Sequence, residues 1–421
     1  MKVKQFATVV SGATPSKKHP EYYGGDIVWF TPKDLSDSGR KYMKCGQLSL
    51  TKDGFDSCSA SMIPAHSVLM SSRAPIGLLA INETECCTNQ GFKSIVPNQE
   101  ICLTEYLYYY LKQNIKAVES LGSGTTFKEV DKASLEDMNI ELPSIAEQHA
   151  VSSVLSVLDD AIDNNNSICA DLEAAAKLLY DYWFVQFDFP DENGKPYKSS
   201  GGKMVWSDEL KREIPDGWTV AHASDLFDLE RGYSYSSGDL SEQSAVPFIS
   251  LACFGRKLDY RSEELKHLKD GVEYASWVKP NDMLIACTDL TRGADIIGCP
   301  IRVPDQFDRY VYSMDLAKVI NLSQDVKQSY LYQSLRTDWF HKFAKGHTSG
   351  TNVIHLDLDV FKWFALAVPP IELQESYEKI CRNLFALSDL RLCESVELET
   401  IRNFLLPLLM NGQVTIGDDG K

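Results

Sequence analysis

Two long stretches of the chain repeat apolar residues in steps of four and three. In the first, Val151, Leu155, Leu158, Ile162, Asn165, Cys169, Leu172, Ala176, Leu179 and Trp183 follow one another at that spacing. In the second, Tyr377, Ile380, Leu384, Leu387, Arg391, Glu394, Leu398, Ile401 and Leu405 do the same. A period sustained near 3.5 residues marks a coiled-coil seam. Both seams turn polar at the middle, where Asn165 and Arg391 hold the same repeat position. Pro143 and Pro369 stand ahead of the two stretches, and the residue before a proline resists the helical region, so each helix is expected just beyond. The matched polar centres favour antiparallel pairing of the two helices with each other over packing of each on its own domain.

The segments ahead of the helices read as short strands with turns. "DIVWFTPKDL" (26–35) parallels "AVPFISLACF" (245–254), and "SVLMSS" (67–72) parallels "DMLIAC" (282–287). The amphipathic "YLYYYLK" (106–112) parallels "YLYQSLR" (330–336). Their helices are expected from Thr104 to before Gly122 and from Ser323 to before Gly346. The closest match has no gap: residues 123–148 and 349–374 align at a constant offset of 226. Identities fall at Ser123/Ser349, Gly124/Gly350, Thr125/Thr351, Asp131/Asp357, Pro143/Pro369, Ile145/Ile371 and Gln148/Gln374. A repeat of this length is a duplicated domain, not a solenoid unit.

The predicted fold is α+β, with two similar domains of short mixed strands and helices. Two long helices pair as an antiparallel coiled coil, and the whole is pseudo-two-fold symmetric. The domains are 1–143 and 219–370. The first long helix lies in 144–187, a connector with turn signals "DENG" and "SSGG" in 188–218, the second helix in 371–412 and a tail in 413–421. The loops of the two domains differ strongly, as two binding specificities on one scaffold would require.

Composition adds little that is unusual. Of 421 residues, 44% are apolar and 24% charged, the profile of an ordinary globular chain. No apolar run approaches the roughly 20 residues of a membrane span. "MKVKQFATVVSG" lacks a signal-peptide core, so the expected compartment is the cytoplasm. Eleven cysteines occur without a CxxC pair, which reads as reduced core thiols and no metal site, with the adjacent Cys86 and Cys87 suited to a buried strand. The net charge of −17 opposes phosphate binding at first sight. Its distribution removes the objection: residues 1–143 carry 15 basic and 16 acidic groups and 219–370 carry 16 and 20, so most of the excess lies outside both domains.

The order domain, helix, domain, helix resembles the specificity subunit of type I restriction–modification systems. The phrases "TNQGF" (88–92), "ELPSIAEQ" (141–148), "FDFPDENGKPYKSSGG" (187–202), "EIPDGW" (213–218) and "LLPLLMNGQV" (405–414) carry the resemblance over essentially the whole chain. It implies that each domain is a target recognition domain reading one half of a split, asymmetric site on double-stranded DNA. The helices then set the spacing, and two methyltransferase subunits and motor–nuclease restriction subunits are the partners. The chain departs from that pattern in three places, one of them the replacement of "AEQ" (146–148) by "ELQ" (372–374) in the second copy. No "IPDGW" precedes the first domain, and in the second "TNQGF" is replaced by "VYSMD" (311–315).

No catalytic apparatus emerges. There is no Asn/Asp-Pro-Pro-aromatic turn, no GxGxxG after a strand and no GxxxxGK[ST], so the chain reads as a non-catalytic reader needing no cofactor. Base reading calls for Arg, Lys, Asn, Gln, Ser and Thr on loops. The candidates in the first domain are Lys17, Lys18, Lys33, Arg40, Lys41, Lys44, Arg73, Asn89, Gln90, Lys93, Ser123, Thr125 and Thr126. In the second they are Tyr233, Tyr235, Arg256, Lys257, Arg261, Arg292, Lys345, His347, Thr348, Ser349 and Asn352. Against this, "TNQGF" alone reads equally as a turn with Gly91 at positive φ, and Arg73 as a pin holding its loop to a carboxylate. A rival reading of the whole chain is a duplicated-domain scaffold for two partner proteins, with no role for nucleic acid.

Overall fold

A computed structural model of the chain describes residues 1–123, 128–241, 243–255, 259–291 and 293–414. They form two compact units. One is Met1–Asp163 together with the chain from Glu397 onward, and the other is Asn164–Val396. The long helices run Ile145–Tyr180, continued by a π turn Asp181–Val185, and Ile371–Met410.

In the first unit, strands Ala7–Ser11, Lys93–Pro97, Val68–Met70, Leu79–Asn82 and Tyr42–Met43 lie side by side in that order. A second sheet holds Leu48–Leu50, Tyr23–Phe30 and Cys87–Thr88. Successive side chains of a strand point to opposite faces. Val68 and Met70 therefore join Val9, Ile81 and Ile95 beneath Leu107 and Leu111 of helix Thr104–Gln113. Leu69 turns the other way, toward Phe30, Ala80 and Phe92. Cys86 and Cys87 are buried as expected, and desolvation pushes both thiols up to about 12.

The second unit has the same plan. Asp228–Arg231, Leu316–Ile320, Met283–Ala286 and Pro300–Arg302 form one sheet; Lys266–Leu268, Val246–Ile249, Tyr310–Tyr312 and Trp277–Val278 form the other. Met283 and Ile285 face the core that includes Leu331 and Phe340, whereas Leu284 and Ala286 face Ile249 and Tyr312. Each unit also has a parallel strand pair at the matching place, Phe30 beside Thr88 and Ile249 beside Tyr312. The amide of Asn89 donates to Phe30 O at 3.0 Å, and that of Ser313 to Ile249 O at 2.9 Å. The counterpart of 88–92 is thus 312–316, one residue beyond the expected "VYSMD". A glycine lies against this turn in each unit. A Cβ on Gly12 would sit 2.2 Å from the carbonyl oxygens of Thr88 and Asn89, and one on Gly232 2.3 Å from those of Tyr312 and Ser313.

The single helices expected over 104–121 and 323–345 are each broken in two. The segments are Thr104–Gln113 and Ile115–Ser120, then Gln328–Ser334 and Asp338–Lys345. The Asn114 amide bonds back to Tyr110 O at 2.9 Å, and the Thr337 hydroxyl accepts from Phe340 N as the cap of a new helix. Both are local side-chain bonds that compete with helix continuation.

The repeated glutamine has a structural role. Gln148 accepts from Leu103 N at 2.9 Å and donates to Ile101 O and Pro143 O, each at 3.0 Å. Gln374 accepts from Lys327 N at 2.9 Å and donates to Asp325 O and Pro369 O at 2.9 and 2.8 Å. Both are fully buried, so each rivets the start of a long helix to the domain ahead of it.

The long helices touch within each unit. In the second unit Tyr377 OH donates to Ala176 O at 2.9 Å and the Cys169 thiol to Ser388 O at 3.4 Å, so numbers rise on one helix as they fall on the other. In the first unit Arg402 Nη1 donates to Asp159 Oδ1 at 2.7 Å, and Val151, Val154 and Leu155 share a core with Leu405, Leu406 and Leu409. The expected seam on the first helix holds: Leu155, Ile162 and Asn165 are buried, and Val151, Leu158, Leu172 and Leu179 half-buried. On the second helix Tyr377 is buried, and Leu384, Arg391, Leu398 and Leu405 are half-buried. Ile380, Leu387 and Ile401, however, are exposed. Their places are taken by the next residues, the buried Cys381 and Ser388 and the half-buried Arg402, and the same inward side carries the buried Phe385, Ser395 and Leu406. The inward stripe there includes serine and arginine, which an apolar pattern passes over. Among the described residues no helix is long and apolar enough to cross a membrane.

Candidate nucleic-acid interface

The repeated serine, Ser123 and Ser349, lies in a small ribbon. In the first domain Ser123 and Glu129 exchange both backbone bonds at 3.0 Å, Glu129 is also bridged to Arg73, and Val130 N donates to Ser72 O at 2.9 Å. In the second, Thr348–Ser349 pairs with Ile354–Leu356, which pairs with Thr288–Asp289. Here Ser349 and Thr288 both stand opposite His355, and Leu356 N donates to Cys287 O at 2.9 Å. Ser123/Ser349 and Glu129/His355 keep the offset of 226, and Arg73/Thr288 keeps that of the strands leading into it. The two domains therefore present the same ribbon with different side chains.

The chemistry at these matched positions diverges. Glu129 accepts from Arg73 Nε at 3.0 Å and from Lys93 Nζ at 3.2 Å. Partial burial works against its charge, but the bonds from Arg73 and Lys93 outweigh it and hold the carboxyl below its ordinary range. In the second ribbon the same position is the exposed imidazole of His355, 3.4 Å from the Thr288 hydroxyl. Glu129, Thr288 and His355 were not among the sequence candidates. The gapless alignment contains the pair 129/355, but a search for identities passes over positions where the copies differ.

Several candidates are exposed as expected. Lys17 and Lys18 lie on the loop after Ala7–Ser11. Lys33 is on helix Pro32–Ser38, 4.0 Å from Asp37, and Arg40 and Lys44 flank Tyr42–Met43. Arg73, Ser123, Lys345, Ser349 and Asn352 are exposed on or beside the ribbons. Gln90 is exposed and accepts from the Thr14 hydroxyl. The Asn89 side chain accepts from Gly91 N at 2.8 Å, which makes the turn without a positive φ at Gly91. Thr348 donates to Lys345 O at 3.0 Å, and His347 bonds Phe343 O at 2.9 Å with its ring against Phe343 and Trp363.

Other candidates are engaged inside the protein. Lys93 is buried on its strand with Glu129 as partner. Lys41 is buried, donating to Tyr109 OH at 3.0 Å and Ser156 Oγ at 2.7 Å; desolvation lowers its pKa against the pull of Asp159. The rings of Tyr233 and Tyr235 pack 5.1 Å from Tyr274 and 4.7 Å from Phe248 in an apolar cluster. Arg261 pairs with Glu263 and Glu264. These five are withdrawn from the set open to a ligand. Thr125, Thr126, Arg256, Lys257 and Arg292 lie outside the described residues. Among the described residues no three His, Cys, Asp or Glu side chains converge to hold a metal.

Residues 1–174 match the family model described as type I restriction modification DNA specificity domain. The chain is 29% identical to the type I restriction enzyme MjaIX specificity subunit of Methanocaldococcus jannaschii, over 99% of this chain and 93% of that one. It is 22% identical to the HindI specificity subunit of Haemophilus influenzae, over 77% and 80% of the two chains. The crystal structure of the type I restriction–modification S subunit from M. genitalium superposes with a TM-score of 0.53 at 15% identity, covering 97% of this chain and 95% of that one. That likeness is one of fold.

Proposed function

We propose, from the premise that the chain belongs to the type I restriction–modification specificity-subunit family, that it is the DNA-reading subunit of such a complex. Each domain reads one half of a split and asymmetric site, and modification and restriction subunits, bound as partners in the cytoplasm, carry out the chemistry on the DNA. The observation that supports this best is the pair of ribbons. The backbone pairing of their described residues is duplicated, while Arg73 and Glu129 in one are replaced by Thr288 and His355 in the other. A common frame with unlike side chains is what reading two different sequences demands.

The candidate contacts of the first domain are then Lys17, Lys18, Lys33, Arg40, Lys44, Arg73, Asn89, Gln90 and Ser123. Those of the second are Lys345, His347, Thr348, Ser349 and Asn352, now joined by His355. The helices, continuous over 36 and 40 residues, set the spacing of the two halves. The domain limits at 143, 219 and 370 follow the same reading. A methylation map of the host genome with and without the gene tests it. Loss of one split motif supports the assignment, and an unchanged map removes it.

A further inference from the structure

The ribbon of the second domain ends in two exposed aliphatic side chains. Thr288 stands opposite His355 and Asp289 opposite Ile354; Leu290 and Val353 are the next residues beyond this last pair, one on each side. Leu290 is 67% exposed and Val353 39%. Beside Leu290 the fully buried Asp289 carboxylate accepts from Thr291 N at 2.6 Å and from Ile296 N at 2.7 Å. The opposite turn needs its glycine, because Gly350 has φ +98° and a Cβ there would meet Val353 O at 2.0 Å. Two aliphatic side chains are thus exposed to water beside backbone that the Asp289 bonds and the Gly350 turn hold.

Their surroundings point to the occupant. Helix Asp338–Lys345 leads into the ribbon with exposed Lys342 and Lys345 in its last turn, and neither is ion-paired among the described residues. Of the acids nearby, Asp359 is paired with Lys362 at 2.8 Å and Asp357 accepts from Asp359 N at 3.0 Å. Ser349 and Asn352 flank the tip as exposed hydrogen-bonding groups. A narrow β-ribbon fits the major groove of B-form DNA, where the thymine methyl is the apolar feature that a side chain can read.

We infer that the Leu290–Val353 tip reads a thymine methyl in the half-site of the second domain, so that this half contains an A·T pair recognised by apolar contact. The inference rests on the DNA-reading assignment above. The first ribbon has Pro75 at the position of Leu290, and its half-site is expected to lack this methyl dependence at the ribbon.

The test uses the assembled complex and duplexes carrying the mapped site, with each thymine of the second half replaced in turn by deoxyuridine, which lacks only the methyl. One such replacement is expected to weaken binding about fourfold, the size of one buried methyl. Leu290→Ala should erase that difference, and Leu290→Met should keep it. Both variants should retain the melting temperature and the discrimination at the first half-site. The inference is overturned if the second half has no thymine, if no deoxyuridine replacement matters, or if the effect persists in Leu290→Ala. A wild-type complex that does not separate the mapped site from a scrambled duplex brings down the DNA reading itself, a result distinct from a failed methyl test.

Discussion

Arg302 and Asp389 form a bidentate ion pair with distances of 2.7 and 2.6 Å, both side chains about nine-tenths buried. Arg302 belongs to a strand of the second domain and Asp389 to the second long helix, and the guanidinium also lies 5.0 Å from the Phe385 ring. The Arg336–Glu173 pair at 3.3 Å joins the same domain to the first long helix. Removing one member of such a pair leaves the other charged and desolvated. Asp389→Ala should therefore lower stability by ~3–5 kcal/mol, whereas Arg302→Met with Asp389→Leu should lose much less. Urea unfolding of the three proteins measures the difference.

The two riveting glutamines predict a matched pair of effects. Gln148→Leu strands the amide of Leu103 and two carbonyls, and Gln374→Leu strands those of Lys327, Asp325 and Pro369. Each buried polar group left unsatisfied costs ~1–3 kcal/mol. Each variant should be destabilised by at least that much. Hydrogen exchange should show faster opening at Leu103 in the first variant and at Lys327 in the second.

Glu129 sets an acid limit on the first ribbon. Its carboxyl titrates below the ordinary 4.5 in the folded protein. The stability it adds is thus complete above the unfolded value and is lost as pH falls through the folded one. The group is partly exposed, so the effect is modest. In thermal melts across the acid range the wild type should exceed Glu129→Gln near neutrality, and the gap should close below pH 4.5. A constant gap at all pH values would show that the carboxylate charge contributes nothing.

The close approach at the repeated turn predicts that glycine is required twice. Gly12→Ala and Gly232→Ala each push a methyl into backbone oxygens. Overpacking of this kind costs ~1–3 kcal/mol when the structure yields. Melting temperatures should fall in both.

The proposed spacing role makes a prediction at the level of the site. Four residues inserted into each helix near Asn165 and Arg391 add ~6 Å of rise. The gap between half-sites should widen by about two base pairs at ~3.4 Å each, with both halves unaltered. A methylation map of cells carrying the lengthened protein reads this directly, and an unmoved gap rules out the helices as the ruler.

The duplication and the two long helices were legible in the residue pattern, because strand alternation and helical period are properties of neighbouring residues. So was the start of each helix after its proline, and the burial of Cys86 and Cys87. Gln148 and Gln374 were visible as a repeated letter; their common bonding was not. Three things needed the folded chain. Lys93 and Lys41 read as surface charges until the fold brings Glu129 to one and Tyr109 to the other, 36 and 68 residues away. The inward face of the second helix passes through Ser388, Ser395 and Arg402 and leaves Ile380, Leu387 and Ile401 outside. A helix seam is chosen by what packs against it, and a partner can supply hydrogen bonds as well as apolar surface. The ribbon, last, joins residues 73, 123 and 129 in one copy and 288, 349 and 355 in the other. Backbone pairing over such separations depends on where the intervening chain puts its strands, and no local pattern records it.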